Sequence, residues 1–306
     1  MKKFTFISFA LVAMLCSCNK EIVSPVTGPV NGTETKNAIV FGVDSELLES
    51  KAVTESTASQ VQTNGFNVAG VTSENVTLFG SSKATWDSAK SWYSTATTYY
   101  YPATGTMSFY AVYPVSQAVT VTSGAATLAY SANENTDLIA AKATGVSASN
   151  NSVALTFDHI LSQVDFTAKG ADSKVTYKIT SIKVTAPTSG TYAYSNGSWT
   201  KGATDAQTVY LSTSTDVSTS EATSVGVAQT FIPVELTVSA SWECYSGGVK
   251  AAEYNNVTAK FTPTKGKKCT VNLTLPNSDG KGITFTISVN PWGTESKDVV
   301  LNPTTE

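Results

Sequence analysis

Residues 234–244 alternate without a break. Val234, Leu236, Val238, Ala240, Trp242 and Cys244 fall on one side, and Glu235, Thr237, Ser239, Ser241 and Glu243 on the other. A helix gathers every third or fourth residue on one face and would scatter this pattern; a strand with one buried face preserves it. Cys269, Val271, Leu273 and Leu275 repeat the period, as do Ile283, Phe285, Ile287 and Val289. Turn residues separate such runs, and no long stretch of helical period intervenes. The pattern predicts an all-β chain built of antiparallel β-sandwiches. On that reading Trp242 faces a core and Ser241 faces away from it.

The chain has 306 residues, enough for two domains of roughly 100–150 residues with separate cores. Residues 153–166 divide it: Val153, Leu155 and Phe157 alternate as one strand, Val164 and Phe166 begin another, and the only histidine, His159, lies between them. The expected organisation is a signal segment at 1–17, a tether and first strand at 18–51, an N-terminal domain at 52–150 and a C-terminal domain at 151–306. Charged residues make up 14% of the chain, against roughly 25% in ordinary soluble proteins. Ser, Thr, Asn and Gly fill the polar positions instead, giving a neutral, hydroxyl-rich surface suited to the cell exterior. The net charge of -3 offers nucleic acid no basic patch. All 20 basic residues are lysines, which excludes bidentate clamping of phosphate or carboxylate by arginine.

The N-terminus reads as an address. Lys2 and Lys3 precede a short apolar run from Phe4 to Leu15, shorter than the roughly 20 residues a membrane-spanning helix needs. The run closes on Leu15-Cys16-Ser17-Cys18. A leucine three positions before a cysteine, with a small residue just before it, resembles a bacterial lipobox. Cleavage would leave Cys18 first and acylated, an anchor that holds a protein to a membrane without crossing it. The alternative is an ordinary secretory signal with an incidental cysteine.

Residues 19–36 carry prolines and glycines with little periodicity and read as a tether. Ala38 to Val43 is a strand candidate, Lys51-Ala52 sits in a polar stretch, and residues 53–63 read as a second tether. The polar run 142–152 reads as a linker. Trp86, Trp92, Tyr93 and Tyr99 to Tyr101 form an aromatic block, assigned to packing in preference to a sugar-stacking platform. Cys244 and Cys269 both lie on apolar strand faces; buried free thiols and a cross-strand disulfide are both open, with the spacing demanding no bridge. One histidine and no close cysteine pair in the exported part argue against a metal site. A Ser-His-Asp triad would need His159, whose apolar strand context points to a structural role. No phosphate loop, dinucleotide fingerprint, zincin helix or nucleophile elbow is present. No catalytic residue and no cofactor is expected.

The pattern Leu155-x-Phe157-x-His159-x-Leu161-Ser162-x-Val164-x-Phe166 resembles the hallmark segment of the fimbrillin-like proteins, the type V pilins of gut and oral anaerobes. The lipobox at Cys18, Lys51-Ala52, the aromatic block from Trp86 to Pro114, Gly266 to Leu273 and Val289-Asn-Pro-Trp292 follow in that family's order. The resemblance implies two tandem transthyretin-like β-sandwich domains and export as an outer-membrane lipoprotein exposed at the cell surface. It implies trimming by a protease, removal of the first strand with Ile39 and Phe41, and filling of the groove by a strand from the next subunit of a fimbria. Lys51-Ala52 is then the processing site, and Ile283, Phe285, Ile287 and Val289 are candidate donors, with 299–301 as the alternative. The implied partners are other pilin subunits, the processing protease, the outer membrane through the lipid, and surface glycans or proteins of a host or bacterium. This chain departs from the family pattern in offering lysine where arginine is usual. An uncleaved anchor or tip adhesin, or a glycan-binding surface lipoprotein using Trp86 and Trp92, are the alternative functions.

Overall fold

The computed structural model describes residues 37–43, 58–132, 136–149, 152–211 and 213–276, with the backbone of two later strands at 284–291 and 297–301. The elements of the first half are β1 (Phe41–Val43), α1 (Ala58–Asn64), β2 (Phe66–Thr72), β3 (Thr77–Asp87), β4 (Trp92–Thr95), β5 (Met107–Tyr113), β6 (Val119–Thr122), β7 (Ala125–Ser131) and β8 (Ile139–Val146). There follow β9 (Val153–Leu155), β10 (Phe157–His159), β11 (Ser162–Gly170), β12 (Thr176–Pro187), β13 (Ser189–Ala193), β14 (Ser198–Lys201), β15 (Asp205–Leu211) and β16 (Thr215–Val217). The chain continues through β17 (Thr223–Phe231), β18 (Leu236–Ser246), β19 (Val249–Phe261), β20 (Lys267–Leu275), β21 (Thr284–Pro291) and β22 (Lys297–Leu301). Among the described residues the protein is therefore all-β, with one short helix.

The first sheet has eight strands in the order β10-β8-β5-β2-β3-β4-β1-β9. Its two end strands are consecutive in the chain, joined by Thr156 alone. The sheet must therefore curl until its ends meet. Ring contacts confirm this: Phe41 on β1 touches Phe109 on β5, and Phe66 on β2 touches Phe157 on β10, at centroid distances of 5.5 and 5.3 Å. These pairs are not neighbours in strand order, so their side chains meet across the interior. The enclosed core holds Ile39, Phe41, Phe66, Phe79, Phe109, Leu155 and Phe157.

The opposite face of the first sheet is also covered. A four-stranded sheet, β14-β13-β7-β6, lies over it and draws two strands from each half of the chain. Ala69, Val112 and Ala140 from the first sheet meet Leu128, Tyr130, Tyr192, Tyr194, Ile160 and Leu161 in a second core. Burial on both faces explains why β2 is nearly continuous in small and apolar residues. The third core lies between β17-β11-β20-β21-β22 and β15-β12-β18-β19, with β16 also pairing β12. Trp242, Tyr177, Phe166, Val271 and Leu273 fill it.

The division expected at 150/151 thus falls within the closure of the first sheet, which takes β9 and β10 as well, and the shared sheet takes strands from both sides of it. Three local expectations change. Residues 58–63, read as tether, fall in α1, whose one buried residue is Val61. The helix ends where Gly65, at φ +75°, donates its N–H to Val61 O at 2.8 Å; the left-handed turn suits glycine, and a Cβ there would collide with Ala84 O. Residues 142–146, read as linker, continue β8 and pair with β5, because backbone pairing asks nothing of a polar side chain. Ser241 lies on the face of β18 opposite Ala240 and Trp242, yet that face is covered there and the residue is buried, at 7% exposure. The β18–β19 ladder has a bulge between Ala240 and Trp242, and the Ser241 hydroxyl accepts the Asn256 N–H at 2.9 Å.

Candidate functional site

Residues 37–43 form a strap that closes the first sheet. Ile39 donates its N–H to Tyr99 O at 2.9 Å, and Tyr101 donates to Asn37 O at 3.3 Å. The Asn37 side-chain amide donates to Ala148 O. Further along, Phe41 pairs antiparallel with Tyr93 of β4. On the other side Phe41, Gly42 and Val43 run parallel to Val153, Ala154 and Leu155 of β9, and Val153 donates its N–H to Val40 O at 2.8 Å. The strap is therefore the only strand pairing with β9 among the described residues, and the strand through which β9 meets β4.

Side chains seat it. Ile39 is 3% exposed and Phe41 is fully buried. Phe41 sits edge-on to Phe66 and to Phe109, at 6.0 and 5.5 Å. Burying such side chains is worth about 1.5–3 kcal/mol each. A small cavity of about 150 Å³ flanks the strap, lined by Ile39, Val40, Trp92, Ser94, Thr95 and Thr98 among others. Burial raises the hydroxyl pKa of both Tyr93 and Tyr101, so these groups stay neutral beside the strap. The surroundings of Phe41 are thus apolar, whereas the flanking cavity also carries Lys90 and three hydroxyl side chains. The strap is held by backbone pairing on two sides and by two buried side chains.

Trp86, Tyr93, Tyr99 and Tyr101 of the aromatic block pack around this slot, whereas Tyr100 is exposed. Phe79 stacks on Tyr99 at 4.3 Å, and Trp86 meets Tyr93 at 5.0 Å. Cys18, Lys51, Ala52 and Ile283 lie outside the described residues. Phe285, Ile287 and Val289 fall in β21, opposite Leu273, Val271 and Cys269 of β20, with β22 on its other side. The structure does not bring these donor positions near the chain's own slot by any strand pairing. Cys244 and Cys269 are free thiols buried in the third core, and burial raises both thiol pKa values.

His159 is buried at 8% exposure, and its Nδ1 lies 2.8 Å from Oδ2 of Asp137, which is 1% exposed. Asp137 also accepts the N–H of Leu138 at 2.8 Å. Sequence reading assigned His159 a structural role but missed its partner. The available signal was an aspartate directly preceding the apolar Leu138-Ile139-Ala140, where a charge is costly unless paired. Among the described residues no group of three or more His, Cys, Asp or Glu side chains gathers as a metal site would, and no helix is long and apolar enough to cross a membrane.

The described residues thus define an all-β protein whose first sheet is closed by a strap and whose aromatic side chains are largely committed to packing. Residues 48–292 match the model of the fimbrillin-like family, and the chain belongs to that family. A fimbrial protein from Bacteroides vulgatus ATCC 8482 shares the fold with a TM-score of 0.62 and 19% identity, over 84% of this chain and 99% of that one. Candidate cell adhesion proteins from Parabacteroides distasonis ATCC 8503 and Bacteroides uniformis ATCC 8492 align with TM-scores of 0.47 and 0.43. Their identities are 8% and 14%, with 89% and 86% of this chain and 98% and 100% of theirs covered. No curated protein matches the chain.

Proposed function

We propose that the protein is a structural subunit of a cell-surface fimbria, exported as an outer-membrane lipoprotein through Cys18 and polymerised by strand exchange after cleavage at Lys51-Ala52. The observation that carries this reading is the strap. A cut after Lys51 severs residues 37–43 from the rest of the chain, so that only the contacts described above retain them. Loss of the strap leaves β4 and β9 with unpaired edges and opens an apolar slot beside Phe66 and Phe109. Both are costly in water, and an alternating strand from another subunit relieves both at once. The two donor stretches differ in what their release costs: β22 is an edge strand, whereas β21 is paired on both sides.

The position of the cut matters more than cutting itself. Lys36 precedes the strap, so cleavage there leaves the strap attached. Purified precursor should stay monomeric, and limited digestion with a lysine-specific protease should start polymer growth. Lys51→Ala should stay monomeric under the same digestion. A mutant that polymerises as readily as the parent would overturn this trigger. A parent that is cut at Lys51 yet stays monomeric would point to the anchor or tip role.

A further inference from the structure

The strap and a later stretch of the chain carry the same five-residue pattern. The strap reads Ile39-Val40-Phe41-Gly42-Val43, and the later stretch reads Ile283-Thr284-Phe285-Thr286-Ile287. Resting on the strand-exchange reading, we propose that a second copy of this chain fills the emptied slot with residues 283–287, in the register that seats Phe285 where Phe41 sits.

The slot tests each position. At its centre Phe41 is fully buried between the Phe66 and Phe109 rings, and Phe285 restores the same edge-on contacts. Ile39, 3% exposed, is matched by Ile283. Val40 and Thr284 have the same shape but differ by a hydroxyl, which needs a partner when buried. The cavity beside Val40 offers Ser94, Thr95 and Thr98. Gly42 is the position where a side chain could have been refused. A Cβ built there meets only the Ser152 hydroxyl, at 3.7 Å, an ordinary contact. Thr286 therefore enters without a clash and brings a hydroxyl towards Ser152. Val43 is only half-buried, so the extra methylene of Ile287 is tolerated.

Competing seatings fit worse. A shift by two residues puts Phe285 in the Ile39 site and Ile287 against the two rings. Val299-Val300-Leu301 has no aromatic ring, and its branched side chains leave part of the Phe41 volume empty. The stretch Ile283-Thr284-Phe285-Thr286-Ile287 reads the same in both directions, so Phe285 takes the centre whichever way the strand enters. Side-chain fit thus favours β21 as donor although β22 is the cheaper strand to release.

The test adds synthetic peptides to full-length protein digested at Lys51, which keeps the variants out of the folding chain. A peptide spanning Asp279 to Asn290 should cap the polymers at one equivalent per subunit. Its Phe285→Ala variant should require roughly a hundredfold higher concentration or more, as expected for losing a large buried aromatic. A benzophenone amino acid at position 285 should crosslink to β2 and β5. If polymers grow but the Phe285→Ala peptide caps them equally well, or a peptide covering 297–303 caps them better, this register is wrong and strand exchange stands. If the digested protein neither polymerises nor binds any of the peptides, strand exchange and register fall together.

Discussion

In the first sheet a three-residue strand supplies the closing seam between β4 and β9, from a point in the chain far from both. The third core is built instead on β18 and β19, a hairpin of 11 and 13 residues that lies at one side of an open sheet and pairs along almost its whole length. The hairpin is local, so little chain entropy is lost in bringing its strands together, and many backbone bonds cooperate in holding it. The strap is paired on both sides but over only a few residues, so it depends more heavily on the burial of Ile39 and Phe41. An element held by a long local hairpin is costly to detach, whereas one held as a short strap can be lost while the rest stays folded.

The largest effect should come from the third core. Trp242 is 1% exposed, stacks on Tyr254 at 4.5 Å and donates from Nε1 to Pro276 O at 3.4 Å. Trp242→Ala should cost about 3–5 kcal/mol in a denaturant melt. Phe41→Ala should cost less, about 2–3 kcal/mol, because the loss cannot exceed the free energy with which the strap docks. In that variant amide exchange at Val153–Leu155 should quicken while exchange in β18 is unchanged. Equal costs for the two variants would mean that the strap is as firmly held as the hairpin core.

Alkaline titration sharpens the comparison. Tyr210 donates its hydroxyl to Val164 O at 2.7 Å inside the third core, and Tyr194 donates to Ala111 O at 2.9 Å inside the second. Burial drives both hydroxyls well above the ordinary tyrosine range. The folded state therefore holds these protons more tightly than the unfolded chain does. Their contribution is complete below the unfolded value near 10 and is withdrawn as pH rises beyond it, by up to about 1.4 kcal/mol per pH unit for each group. Tyr210→Phe should flatten that decline; an unchanged slope would show that this hydroxyl ionises without unfolding. Ser241→Ala should show the smallest effect, about 1 kcal/mol, from the lost bond to Asn256 N–H. A neutral result would restore the view that this residue faces solvent.

What could be read in advance was whatever depends on neighbours along the chain. Alternation placed Trp242, Val271 and Leu273 in a core, and the aromatic block was assigned to packing. The burial of Ser241 escaped because the bulge lies on β19 and has no signature in the side-chain period of β18. Ala240 and Trp242 still face the core, and the extra β19 residue lays the Asn256 N–H over Ser241 on the other face. Residues 58–64 escaped because a helix of two turns with one buried valine has no periodicity to detect. The strap as a candidate strand was legible from Ile39 and Phe41, but its partners were not. Parallel pairing with β9 is set by how the whole sheet curls, and by Phe66, Phe109 and Phe157 meeting in its interior. The Asp137–His159 pair was half legible: the histidine was noticed, but its partner lies in a segment that the fold alone brings near.

The sheet shared between the two halves has a mechanical consequence. β7 and β13 are joined by five antiparallel residue pairs, and Trp199 donates from Nε1 to Ile160 O at 2.7 Å. The covalent chain crosses from the first sheet to the next at Ile160 and Leu161. Tension that tries to part the halves therefore meets two routes side by side, one covalent and one hydrogen-bonded. A single crossing flexes like a hinge. A braced one passes torque and pull from one half of the molecule to the other with little bending.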